Sequence, residues 1–331
     1  MKQQQLIDKY GRTLDYLRLS VTDRCNFRCY YCMPEEGVNF APRKELLTFD
    51  EMYEISSLFV GWGIRKIRIT GGEPFVRTGI ISFLQRLVVL NGLEEITITT
   101  NGTLSDRHRS VLKELRIRKI NISLDALDAG RFFRITRRDS FHQVYQGIIE
   151  LLKDGFELKL NCVVAEGKNI EDIIPFVELT KEHALAIRFL EEMPFNGVEG
   201  NKQPFSWDYK RIYEYIIARY RQVIPLLNDK NSTSINYRVD GYQGTFGIIP
   251  SFSRTFCGTC NRIRLSATGE LRTCLYGPPA LNLREMIRVR MPGDILEQAI
   301  RNAVNLRAGN GFEAERLSGG QAHTSMSALG G

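Results

Sequence analysis

Cys25-Asn26-Phe27-Arg28-Cys29-Tyr30-Tyr31-Cys32 puts three thiols in one short run, spaced C-x3-C-x2-C. A second group, Cys257-Gly258-Thr259-Cys260 followed by Cys274, gives C-x2-C-x13-C. Thiolates are the usual ligands of iron–sulfur clusters. Three of them hold three irons of a four-iron cube and leave the fourth iron open to another ligand. A cluster that only carries electrons usually takes four cysteines, so a three-thiol set points to chemistry at the metal. Zinc is the competing reading. A structural zinc wants four closed ligands, and no His or Cys follows the first group at finger spacing. The second group is less decisive, because C-x2-C is common in zinc sites and a fourth ligand could come from elsewhere. Cys162, inside Asn161-Cys162-Val163-Val164, reads as a small buried hydrophobe.

The elements that position these thiols alternate in type. Tyr16–Thr22 is apolar and β-branched and reads as a strand, so the first cysteines leave its C-terminal end. Thr48 with Glu51 forms a capping-box pattern that starts a helix running to about Gly61. Strands are expected at 66–70, 95–99, 119–123, 157–164 and 186–190. Helices are expected near 80–90, 106–115, 141–154 and 170–182. Six strands in βα rhythm predict a parallel sheet. The informative residues sit at strand C-terminal ends, which suggests an incomplete (β/α)6 TIM-type barrel, an α/β fold with its chemistry at that face. A doubly wound open sheet shares the same periodicity. After about residue 196 the rhythm breaks. A helix is expected over 204–225, a polar linker over 228–234, one or two strands over 237–249 and a helix near 292–305. The division expected is a partial barrel, 1–225, and a C-terminal α+β extension, 226–331, carrying the second cysteine group and substrate contacts.

Bulk composition narrows the class. The chain has 331 residues, 43% hydrophobic and 25% charged, ordinary values for a globular protein. No stretch reaches the roughly 18 apolar residues of a membrane span. The polar start, Met1-Lys2-Gln3-Gln4-Gln5, lacks the apolar region of a secretory signal. Seven cysteines, six of them in two groups, favour metal over disulfides and a reducing cytoplasm. The net charge of +7 fits an anionic small-molecule partner. A nucleic-acid-binding protein is the rival class, but no recognisable nucleic-acid-binding motif or basic tail is present.

Two further features bear on such a partner. Arg262-Ile263-Arg264 follows the second C-x2-C, and in a strand its two arginines share one side. Their forked guanidiniums suit phosphate oxygens and nucleotide edges, although a solvated basic face is the plainer reading. Arg18, Arg68 and Lys159 sit in otherwise apolar expected strands. Burying unpaired cations there is costly, so an anion is expected among them, unless Asp15, Glu73 or Asp125 pairs with them.

With these residues in view, the C-x3-C-x2-C run and Gly71-Gly72-Glu73-Pro74 resemble the radical S-adenosylmethionine superfamily. The second thiol group, Arg262-x-Arg264 and the terminal Gly330-Gly331 narrow the resemblance to the GTP 3',8-cyclase family of molybdenum cofactor biosynthesis. The resemblance implies two 4Fe-4S clusters, held by Cys25, Cys29 and Cys32 and by Cys257, Cys260 and Cys274. It implies S-adenosylmethionine contacts from Tyr31, Gly72, Ser123 and Met193. GTP contacts are implied for Arg18, Arg68, Thr99, Lys159, Arg262, Ile263 and Arg264, and a tail, Gly330-Gly331, that reaches the active site. The implied reaction converts GTP to 3',8-cyclo-7,8-dihydro-GTP. Implied partners are a downstream cyclic pyranopterin monophosphate synthase and an electron donor such as flavodoxin or ferredoxin. A homodimer is compatible with this reading; no nucleic-acid or membrane partner is expected. A peptide-modifying radical S-adenosylmethionine enzyme with an auxiliary cluster is the alternative within enzymes.

Overall fold

The computed structural model describes residues 5–196, 206–319 and 325–330. A short ribbon, β1 (Leu6–Ile7) with β2 (Thr13–Leu14), precedes the main sheet. Six parallel strands then follow in chain order: β3 (Tyr16–Ser20), β4 (Lys66–Thr70), β5 (Glu95–Thr100), β6 (Lys119–Ser123), β7 (Glu157–Val164) and β8 (Ala186–Glu191). The helices between them are α1 (Phe49–Gly61), α2 (Ile80–Leu87), α3 (Ser105–Glu114), α4 (Ala129–Thr136), α5 (Phe141–Lys153) and α6 (Ile173–Glu182). Five of the six strand positions match the sequence expectation to within a residue at each end; the first strand stops at Ser20, two residues short of the expected Thr22. The short helix α4 was not expected. Its aromatic and β-branched sequence is a weak helix former, and its start is fixed by Asp128, whose carboxylate accepts from Arg131 N at 2.8 Å.

The expected helix over 204–225 is instead α7 (Tyr209–Ile217) followed by β9 (Val223–Pro225), with residues 204 and 205 outside the described set. Asp208 caps α7 from below. Beyond it, β10 (Ile235–Val239) and β11 (Thr245–Ile249) form a hairpin whose second strand lies parallel to β8. On the opposite edge β12 (Arg262–Leu265) lies parallel to β3. β13 (Glu270–Arg272) and β14 (Leu281–Asn282) extend that edge antiparallel. The C-terminal region therefore lengthens the same sheet at both margins. Among the described residues no strand pairing closes it into a ring. Four helices end the chain: α8 (Leu283–Arg288), α9 (Gly293–Asn305), α10 (Gly311–Leu317) and α11 (Met326–Leu329).

Strand alternation divides the sheet into two faces. Leu17, Leu19, Ile67, Ile69, Ile98, Ile120, Ile122, Leu158, Leu160, Ile187 and Phe189 are buried in one continuous core. The alternate positions face inward and are mostly polar or cationic, with Val163 and Leu190 among the exceptions. Register then stacks them into rows: Arg264 beside Arg18, Arg18 beside Arg68, and Arg68 beside Thr97. Similarly Thr99 lies beside Asn121, Asn121 beside Lys159, and Asn161 beside Arg188. Neighbouring strands are only about 4.8 Å apart, so three arginines abreast repel one another unless an anion lies among them.

The capping box is formed as expected: Glu51 N donates to Thr48 Oγ1 at 3.1 Å, and Thr48 N donates to the Glu51 carboxylate at 2.7 Å. Thr48→Ala is expected to lower stability by about 1 kcal/mol, read as a shift of the urea midpoint with an unchanged slope.

Candidate active site

The inward residues enclose one cavity of about 540 Å³. Arg18, Arg68, Thr99, Lys159, Arg262 and Arg264 all line it, as do Tyr31, Ser123, Met193 and Gly330. Cys257, Cys260 and Cys274 form part of its wall. Residues far apart in sequence are therefore gathered at one mouth, and Arg188, Tyr16 and Asn161 join them. Sequence reasoning missed Arg188, although the signal existed: Ala186-Ile187-Arg188-Phe189 repeats the alternation of Lys66-Ile67-Arg68-Ile69.

Five expected residues do not line the cavity: Cys25, Cys29 and Cys32, whose loop lies beside it and sends only Tyr31 to its wall, and Ile263 and Gly72. Ile263 is fully buried in the core, because a strand that turns Arg262 and Arg264 inward must turn Ile263 outward. Gly72 does not line the cavity. It packs the second strand's exit loop against the segment that leads to the first cysteines. Its N–H donates to Thr22 O at 2.7 Å and Glu73 N donates to Arg24 O at 2.8 Å. A Cβ on Gly72 would lie 2.3 Å from Arg24 O. The close approach that demands glycine is made by backbone of the same chain. Gly331 lies outside the described residues.

Of the cations that line the cavity, Lys66 pairs with Glu95 and Arg254 with Glu315, but six others lack a protein counter-charge. Among the described residues, no ion pair reaches Arg18, Arg68, Lys159, Arg188, Arg262 or Arg264. The Nε atoms of Arg18, Arg188 and Arg264, and Thr99 Oγ1, are buried without a hydrogen-bond partner. Asp15, Glu73 and Asp125 are occupied otherwise. Asp15 accepts from Asn261, Glu73 from Thr100, Asn101 and Phe75, and Asp125 from Tyr31 Oη at 2.7 Å and Val163 N at 2.8 Å. Burial, then neighbouring Arg188 and Arg68, pushes Lys159 down to about 8. Burial and nearby Arg68 bring Arg188 down to about 10. Burial would raise the Tyr16 phenol, but Arg68, Arg18, Lys66 and Arg262 outweigh it and leave it below its ordinary value. Unpaired buried cations and orphaned donors are what a polyanion would satisfy.

The first cysteine loop is compact, with Cys32 N and Met33 N both donating to Cys29 O, at 2.9 and 3.0 Å. The loop is held by the C-terminal end of α4, through Arg28 N to Thr136 O and Tyr30 N to Ile135 O. All seven cysteines are free thiols. Burial raises Cys25 to about 11 and Cys32 to about 12, and burial with Asp125 raises Cys29. Such thiols become good ligands only when a cationic centre stabilises the thiolates. Among the described residues, no three or more His, Cys, Asp or Glu side chains gather closely enough to hold one metal ion. A cube spans further than a single ion, and three soft thiols on one loop suit it. At the second group, burial would raise Cys260, but Arg307 and then Arg262 outweigh it and bring it to about 7. A thiol set with this cationic support also fits a cluster.

The tail is seated in the mouth. Ser325 Oγ donates to Cys32 O at 2.6 Å, and Met326 N donates to Phe195 O at 3.0 Å. Leu329 packs with Phe195, Tyr276, Ala308 and Ala314, beside Cys274. Gly330 has φ +78°, and a Cβ there would lie 2.7 Å from Ser20 Cβ. Gly330→Val is therefore expected to unseat the tail and reduce turnover roughly tenfold, the cost of strain at one such residue. Limited proteolysis should show cleavage near residue 325 in the variant alone.

A parallel sheet with a three-thiol loop after its first long strand is the arrangement of a radical S-adenosylmethionine protein, and residues 19–180 match the Radical SAM superfamily. Residues 185–312 match Molybdenum Cofactor Synthesis C. The chain belongs to the GTP 3',8-cyclase family: it is 41% identical over 310 residues to GTP 3',8-cyclase 2 of Pseudomonas aeruginosa, covering 93% of each chain. It is also 40% identical over 305 residues to molybdenum cofactor biosynthesis protein moc-5 of Caenorhabditis elegans. That match takes in 92% of this chain but 50% of the nematode protein, so the chain spans about half the length of such curated relatives. The solved structure of Streptococcus suis SuiB bound to S-adenosylmethionine shares the fold, with TM-score 0.62 at 18% identity over 88% of this chain and 69% of that one. Superfamily membership brings one 4Fe-4S cluster and S-adenosylmethionine as cofactors. No helix among the described residues is long and apolar enough to cross a membrane.

Proposed function

We propose that this chain is the radical S-adenosylmethionine enzyme that converts GTP to 3',8-cyclo-7,8-dihydro-GTP in molybdenum cofactor biosynthesis. The observation that carries this reading is the cavity itself, where unpaired Arg18, Arg68, Lys159, Arg188 and Arg264 face a second thiol group. A peptide substrate offers no comparable reason for five uncompensated cations in one pocket. A nucleic-acid partner would call for such charges on an open surface.

In this reading Cys25, Cys29 and Cys32 hold the first cluster, and Tyr31, Ser123, Met193 and the backbone near Gly72 hold S-adenosylmethionine. Cluster and cofactor would together supply a 5'-deoxyadenosyl radical to take hydrogen from C3' of GTP. Bonding of C3' to C8 would then leave a radical at N7 that needs one electron, from an external reductant of the flavodoxin or ferredoxin class, and one proton from solvent to give the product. Arg18, Arg68, Lys159 and Arg188, with Thr99, bind the triphosphate and fix its ribose toward the first site. Cys257, Cys260 and Cys274 hold a second 4Fe-4S cluster that anchors the guanine, with Arg262 and Arg264 at its edge. The tail, seated as far as Gly330, keeps water and oxygen from the reacting centre. Residues 1–225 would then serve as the cofactor-binding barrel and 226–331 as the substrate half. The enzyme would work in a reducing cytoplasm, draw electrons from a flavodoxin or ferredoxin, and pass its product to a cyclic pyranopterin monophosphate synthase.

The test is anaerobic incubation of reconstituted protein with reductant, S-adenosylmethionine and GTP, followed by mass analysis. Equimolar 5'-deoxyadenosine and an isomer of GTP are expected; GTP recovered intact while S-adenosylmethionine is consumed would overturn the substrate assignment. Arg188→Met should raise the KM for GTP at least tenfold, the ~1.5–3 kcal/mol of a charged hydrogen bond, while kcat changes less.

A further inference from the structure

The sulfurs of the two thiol groups sit in opposite electrostatic surroundings. The first group has carboxylates nearby: Glu73 acts on Cys25, and Asp125 acts on Cys29. Among the described residues its sulfurs receive neutral donors: Phe27 N at 3.4 Å and Asn101 Nδ2 at 3.8 Å to Cys25, Tyr31 to Cys29, and Ser325 and Ser327 N to Cys32. Arg28 acts on Cys25 without a hydrogen bond to its sulfur. The second group has arginines. Arg307 Nη2 donates to Cys260 Sγ at 2.9 Å, and its Nη1 donates to Cys260 O at 2.7 Å, so one guanidinium grips one cysteine at two points. Arg262 Nη1 reaches the same sulfur only at 3.9 Å.

This grip is built rather than incidental. Arg307 is 3% exposed and leaves the C-terminal end of α9. Asp8, itself buried, stands 3.6 Å from its Nη1. Asp8 also holds Arg12 Nε at 2.6 Å, and Arg12 in turn donates to Cys257 O, Ala308 O and Gly309 O. The ribbon before the main sheet and the segment after α9 are thus tied to both members of the C-x2-C pair.

Hydrogen bonds and positive charge at ligand sulfurs favour the more electron-rich state of a cluster and raise its reduction potential. The geometry points to Arg307 as a positioning residue that raises the potential of the second cluster through the Cys260 sulfur, so that this cluster accepts an electron more readily than the first. The inference rests on the second cluster proposed above.

The experiment uses the full-length chain with Cys25, Cys29 and Cys32 all replaced by Ser, so that any cube present is the second one. Iron and sulfide content report whether that cube exists; fewer than about three irons per chain would overturn the second cluster and this inference with it. Electron paramagnetic resonance titration then gives the midpoint potential with Arg307, with Arg307→Lys and with Arg307→Met. The methionine variant should fall by at least 59 mV, a tenfold change in the one-electron ratio, and the lysine variant by less. An unchanged midpoint in the variants that retain iron would overturn the role of Arg307 while leaving the second cluster standing. If the methionine variant loses its cube, the lysine variant alone decides: a lowered midpoint supports the role and an unaltered one refutes it.

Discussion

Cys29→Ala abolishes release of 5'-deoxyadenosine while the protein stays folded: that is the expected result with the largest effect. Cys29 contributes a sulfur and a carbonyl. Its carbonyl accepts from Cys32 N and Met33 N and shapes the loop, and alanine keeps it. Only the thiol is lost. Removing a group that merely supports a metal ligand costs 10–100-fold in affinity or activity, so removing a ligand should cost at least ~100-fold. The check is chromatographic measurement of 5'-deoxyadenosine after anaerobic reduction with S-adenosylmethionine, beside a thermal melt of the same sample. Release above about a tenth of the parent rate would contradict the assignment of these three thiols.

Cys260→Ala should separate the two halves of the chemistry. The first loop shares no hydrogen bond with Cys260, so cleavage of S-adenosylmethionine should persist. GTP conversion should be lost, because the substituted site no longer has its three sulfurs. The change also leaves the Arg307 and Arg262 guanidiniums facing a methyl group in a buried setting. A stability loss of about 1–3 kcal/mol is expected from that exposure of charge to an apolar neighbour. Iron content should drop by one cube, and mass analysis should find 5'-deoxyadenosine without a cyclised nucleotide. Undiminished product would exclude a substrate role for the second group.

Local signals carried the strands and the thiols. Lys66–Thr70, Lys119–Ser123 and Glu157–Val164 have the bounds their alternation predicts, because β-branched residues flanked by Gly, Asn and Asp leave little choice of conformation. The inward cations were legible for the same reason, since any strand with a buried face must present its other residues together. Arg188 apart, whose alternation was overlooked, what escaped was non-local. Nothing in Thr245–Ile249 or Arg262–Leu265 announces that one pairs with Ala186–Glu191 and the other with Tyr16–Ser20. That the Thr22–Arg24 backbone packs against Gly72, and so requires a glycine there, is likewise invisible in the local sequence. Asp8, Arg12 and Arg307 lie at opposite ends of the chain, and no periodicity links them.

The crowded guanidiniums have one more consequence. Mutual repulsion among Arg18, Arg68 and Arg264 opposes folding of the ligand-free chain, and a ligand that quenches it strengthens the native state by mass action. Thermostability and catalytic competence are therefore reciprocally coupled here. A screen that rewards heat resistance without nucleotide would select neutral replacements at these positions and discard the enzyme.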